Sequence, residues 1–297
     1  MSQFWEKALQ VQIALSGQFR PATESITKEI GLEPAVWNQL IAALSYEPEP
    51  ISVSQIGNRN PYTDSGLLGS QLETLKTRGF LEGNPNGDYH LTDEGRAKAL
   101  AILETQRAYH ATILPLPESE IMPLASALKD VVVAVEKAPT PPGNWNFTRA
   151  RHLQPGASAE TITQIDHYVG CLNAFRDDAH LSAWKALGIG GPEWEALTLI
   201  WRGEAKNADE LSQKLPFRGQ TPQVYQASLD ELERKGWVEE DTYKGTRVWY
   251  EATASGKALR EEAEATTDKN FDSGCSLSEA ESVRIQGLLE KLSAALA

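Results

Sequence analysis

The chain repeats itself, and this repeat constrains its fold more than any other feature. Moving the sequence by 157 positions brings Gly31 onto Gly188, Trp37 onto Trp194 and Leu40 onto Leu197. The same offset brings Leu72 onto Leu229, Leu75 onto Leu232, Arg78 onto Lys235, Gly79 onto Gly236 and Glu82 onto Glu239. Further on the offset becomes 161, and Thr92, Gly95, Arg96 and Ala97 fall on Thr253, Gly256, Lys257 and Ala258. A shared offset over so many anchors is the mark of an internal duplication. The four extra residues of the second copy fall in a polar turn, where surface loops absorb insertions.

Hydrophobic spacing gives each copy the same order of elements. In the second copy the run Trp194 to Trp201 reads as a helix, Ala208 to Leu211 as a second, and Tyr225, Leu229 and Leu232 as the inner stripe of a third. A two-stranded hairpin follows around Lys244-Gly245-Thr246, and a helix leaves at Thr253. In the first copy Trp37, Leu40, Ile41 and Leu44 mark one helix, Ser52 to Ile56 a short one, and Leu68, Leu72 and Leu75 a third. Gly79 stops it. Asn86-Gly87 signals a hairpin, and Thr92 is the expected N-cap of the next helix. Helix, helix, helix, hairpin, helix is the order of a winged helix-turn-helix. The expected fold is therefore mainly α with small β-hairpin wings, a tandem winged helix-turn-helix with flanking helices. The expected units are residues 1–114, an irregular linker at 115–157, and residues 158–297. Pro115, Pro117 and Pro123 interrupt the linker; Leu124 to Val135 within it reads equally as helix or strand.

Leu75-Lys76-Thr77-Arg78-Gly79-Phe80-Leu81-Glu82, followed by Leu91-Thr92-Asp93-Glu94-Gly95, resembles the end of the recognition helix, the wing and the exit of MarR-type winged-helix regulators. Leu232 to Glu239 with Thr253-Ala254-Ser255-Gly256 resembles the same stretch. The resemblance implies a single-chain counterpart of the homodimers usual in that family. Residues 1–110 and 158–297 would pair about a pseudo-twofold axis, as a monomeric pseudo-dimer or within a further homodimer. It also implies a small-molecule effector, bound between the dimerisation and DNA-binding parts.

Charge qualifies the DNA reading. The 297 residues carry a formal net charge of -13, whereas DNA affinity grows with the phosphates that Lys and Arg neutralise. Binding has to come from a local patch. The second copy offers one: Thr221, Gln223, Val224, Ala227 and Ser228 on the outer face of its third helix, Lys214 and Arg218 before it, and Lys244 and Arg247 on the wing. Glutamine pairs with adenine, and small apolar side chains meet thymine methyls. The first copy offers Asp64, Gly66, Leu67, Ser70 and Gln71. Between Ile51 and Thr92 it has three Lys or Arg against four Asp or Glu. The expectation is double-stranded DNA read chiefly by the second copy. The alternative is a winged-helix protein-interaction or ligand-binding module that does not touch DNA.

Trp145, His167, Tyr168, Trp184 and Trp194 are the candidate effector pocket. His167 and His180 stand thirteen apart, which fits no standard zinc pattern. There is no P-loop lysine, no serine elbow and no HExxH helix. The chain therefore reads as a non-enzyme with neither metal nor cofactor. Two cysteines and no secretory signal in the first residues suggest a cytoplasmic protein. No apolar run reaches the length of a membrane span.

Overall fold

The computed structural model describes residues 3–83, 87–113, 115–241 and 249–297. From the N-terminus, α1 (Gln3–Gln18), α2 (Arg20–Ile30) and α3 (Pro34–Tyr46) lead to α4 (Val53–Arg59) and α5 (Ser65–Thr77). A hairpin of β1 (Leu81–Gly83) and β2 (Tyr89–Leu91) follows, then α6 (Asp93–His110). Next come α7 (Glu118–Val135), α8 (Trp145–His152) and α9 (Thr161–Trp184). Then α10 (Gly191–Trp201), α11 (Ala208–Lys214) and α12 (Pro222–Arg234) precede a second hairpin, β3 (Val238–Asp241) with β4 (Trp249–Ala252). The chain closes with α13 (Ala254–Cys275) and α14 (Glu279–Leu296). It is mostly helical with two small antiparallel hairpins, as expected. Among the described residues no helix is long and apolar enough to cross a membrane.

The same local bonds recur at the offset positions. Gly79 and Gly236 end their helices at φ 77° and 72°, in the left-handed region that favours glycine. The hydroxyls of Thr92 and Thr253 each donate to the glycine carbonyl (Gly79 and Gly236), both at 2.7 Å. Each also caps the next helix by accepting from Gly95 or Gly256 N–H. A Cβ on Gly95 would overlap the Phe80 carbonyl, and one on Gly256 the Trp237 carbonyl. Each hairpin also bonds to the residue just before the N-cap of the short helix. Ile51 and Tyr89 exchange two backbone bonds at 2.8 Å, and Tyr250 N–H donates to Lys206 at 2.8 Å.

Contacts gather the chain into two compact units that alternate along the sequence. The first comprises Met1–Ile51, Gln71–Ala179 and Thr267–Ala297; the second comprises Ser52–Ser70 and His180–Thr266. Three of their boundaries fall inside α5, α9 and α13, and the fourth lies between Ile51 and Ser52, ahead of α4. In the first unit α1 packs along α14, with Trp5, Ala8, Val11 and Leu15 in one core with Ile285, Leu289, Leu292 and Leu296. The expected irregular linker is a correction: α7 buries Leu124, Leu128, Val131, Val132 and Val135 in that core. Pro123 lies within α7 and does not end it. Burial of this apolar stripe outweighs the one backbone hydrogen bond that the proline removes. Asp178, fully buried, accepts from the Asn146 and Phe147 N–H groups at 2.9–3.1 Å and so anchors the start of α8. Cys171 and Cys275 are buried and unpaired with one another. Burial pushes the Cys171 thiol up to about 12.

Candidate nucleic-acid interface

The second unit carries α10, α11, α12 and the second hairpin around Trp194, Leu197, Leu211, Tyr225, Leu229, Leu232, Val238 and Tyr250. Both helices of the motif start on a side-chain cap. Asn207 accepts from Glu210 N–H at 2.9 Å, and Thr221 from Val224 N–H at 3.4 Å. Pro222 fills the first position of α12, where its missing N–H costs nothing. Gly219, at φ 70°, makes the turn between them.

The exposed face at the start of α12 presents Thr221, Gln223, Val224 and Ala227. Ser228 is a correction: it is 2% exposed, and its hydroxyl donates to the Val224 carbonyl at 2.9 Å. It sits beside Leu229 on the inner stripe because a helix advances about 100° per residue. Gln226 is exposed but engaged, donating to Asp230 and to the Tyr250 hydroxyl. Beside this face, Asn207, Asp209, Glu210, Gln213, Gln223 and Gln226 line an open polar cleft of about 600 Å³.

Arg218 is engaged within the unit. Its Nε lies 2.9 Å from the Glu195 carboxylate, and its NH1 donates to Asn60 Oδ1 at 3.1 Å. The rings of Tyr62 and Phe217 lie 5.0 and 4.9 Å from it. Four partners engage this guanidinium within the unit, so contact with a phosphate would compete with the Glu195 pair. Glu195 is the reason. Burial holds its carboxyl above the usual carboxylate range, and Arg218 works against that shift; an unpaired buried carboxylate would be costly. Nothing in the spacing of Glu195, Arg218 and Asn60 signals this network, which joins residues far apart in sequence. Lys214 is exposed. Lys244 and Arg247 lie outside the described residues. Arg234 and Lys235 both pair with Glu231.

The turn of the first copy sits on this same network. Asp64 N–H donates to the Arg218 carbonyl at 2.8 Å, and Gln220 Nε2 to the Tyr62 carbonyl at 3.1 Å. A side chain on Gly219 would overlap Leu67. The face expected on the first copy is thus largely spoken for: Asp64 caps α5 through Leu67 N–H, and Gln71 is buried against Gln39 at 2.9 Å.

The five candidate pocket residues are divided between the two units. Trp145, His167 and Tyr168 belong to the first unit, Trp184 and Trp194 to the second. Trp145 is exposed, and Tyr168 is core. His167 lies 3.5 Å from Cys171. Trp184 and Trp194 are each 1% exposed and stack at 5.5 Å. The Trp194 indole donates to His180 Nε2 at 3.1 Å, and the Arg260 guanidinium covers its ring at 4.3 Å. This is a filled core rather than a cavity.

The geometry of residues 207–252 defines a helix-turn-helix followed by a β-hairpin. Residues 150–297 match a helix-turn-helix family. The C-terminal half of the chain therefore carries a helix-turn-helix domain, the kind of domain through which DNA-binding regulators in general act. No curated protein and no solved structure matches the chain.

Proposed function

We propose that the protein is a transcriptional regulator that reads double-stranded DNA with the start of α12. The observation that carries this is the solvent-facing set Thr221, Gln223, Val224 and Ala227 on the second helix of a helix-turn-helix. In such motifs that helix enters the major groove and its first residues meet the base edges. Gln223 is the adenine reader, Val224 and Ala227 the thymine-methyl contacts, and Lys214 a phosphate contact. Lys244 and Arg247, outside the described residues, are further phosphate contacts in this reading. The recurring caps and glycine turns support reading the chain as two tandem winged helix-turn-helix copies of MarR-like build, acting in the cytoplasm and without catalysis. The first copy serves as a brace. A small-molecule effector that acts on the chain belongs to the same reading.

The test is binding to the DNA upstream of the protein's own reading frame, at stated salt. Sequence-dependent binding lowered by Gln223→Ala is the expected result. No sequence-dependent binding at low salt favours the other reading, a scaffold for protein or ligand contacts. That reading is favoured by one observation: Arg218, Arg234 and Lys235 near α12 are all paired with carboxylates.

A further inference from the structure

The two helix-turn-helix turns of this chain touch. Asn60, Tyr62, Asp64 and Leu67 of the first meet Arg218, Gly219 and Gln220 of the second through three hydrogen bonds and a close approach of Leu67 to Gly219. All of these residues belong to one compact unit. Asp64 and Thr221 are the N-caps of α5 and α12. Asp64 is bonded to Arg218, three residues before Thr221. The starts of the two helices therefore lie within about 15 Å of each other. Base contacts in a helix-turn-helix come from the first residues of the second helix, and a dyad-symmetric operator places its half-sites about 34 Å apart. Two helix starts held this close cannot enter successive major grooves.

We infer that one chain reads one DNA half-site, although it holds two copies of the motif, and that a dyad operator takes two chains. This rests on the DNA reading proposed above. The first copy contributes position instead of contacts. Asp64 uses its carboxylate on its own helix, Leu67 packs at Gly219, and Asn60 holds the guanidinium that neutralises Glu195.

The test is selection of sequences from a random duplex pool with the full chain. Native mass spectrometry of the recovered complex and hydroxyl-radical footprinting follow. One chain per duplex should protect a single segment of about one helical turn, and any recovered dyad should carry two chains. A single chain that protects two segments a helical turn apart overturns this inference and leaves DNA reading intact. No enrichment of any sequence at low salt sinks the DNA reading, and this inference with it.

Discussion

The guanidinium of Arg218 spends its donors on Glu195 and Asn60 and its faces on Tyr62 and Phe217. Glu195 is 8% exposed and also accepts from the Tyr225 hydroxyl at 3.4 Å. Removing one partner of a largely buried ion pair leaves the other charge uncompensated and costs roughly 3 kcal/mol. Arg218→Ala should therefore lower the melting temperature markedly, whereas Gln223→Ala should leave it unchanged and weaken DNA binding. Thermal unfolding of both variants checks this; a stable Arg218→Ala would sink the structural role. His167 gives a pH signature. Burial, then the nearby Arg151 and Arg107 charges, lowers its pKa from 6.5 to about 4. Between these values the unfolded chain binds the proton and the folded chain does not. The contribution of neutral His167 is thus complete above about pH 6.5 and is lost as pH falls through 4. Its size is about 3 kcal/mol. Denaturant titrations at pH 7 and pH 4.5 should show His167→Gln losing less stability on acidification than the natural chain; equal losses count against it.

Among the elements, the start of each helix after a hairpin is the most exacting. Gly95 and Gly256 lie against the carbonyls of Phe80 and Trp237, so a methyl group has nowhere to go. Gly256→Ala should cost about 2 kcal/mol or more, as overpacking against backbone does. Gly57, inside α4 with open space around it, is the control: Gly57→Ala should add up to about 1 kcal/mol by reducing the entropy of the unfolded chain. Chemical denaturation of the two variants should move in opposite directions, and a shared direction refutes the steric account. These elements were legible in the sequence because caps and stops are local: Thr92, Thr253, Gly79 and Gly236 act within a few residues of themselves. The helix α7 was not. Its proline and its run of Val and Leu leave periodicity ambiguous, and only burial against the core decides the matter. Ser228 failed for a related reason, since one step along α12 separates the outer face from the inner stripe.

At the scale of the whole molecule, a net charge of -13 limits DNA binding to a small patch. Few phosphates are neutralised, so the salt dependence should be shallow. Lys214→Ala should reduce the slope of log affinity against log salt by about 1 and weaken all sequences alike; a loss confined to one sequence would assign Lys214 a base contact instead. Within the two repeated stretches the sequence by itself determined the order of helices and hairpins, the Thr92 cap and the leucine stripes of α5 and α12. Each of these depends on neighbours within a turn or two of the chain. Only the tertiary structure decided what Arg218 binds, which residues share a core, and that the turn at Asn60–Asp64 meets the turn at Arg218–Gln220. Those outcomes join groups some 150 residues apart, where burial of a carboxylate and its compensation, not local propensity, set the partner.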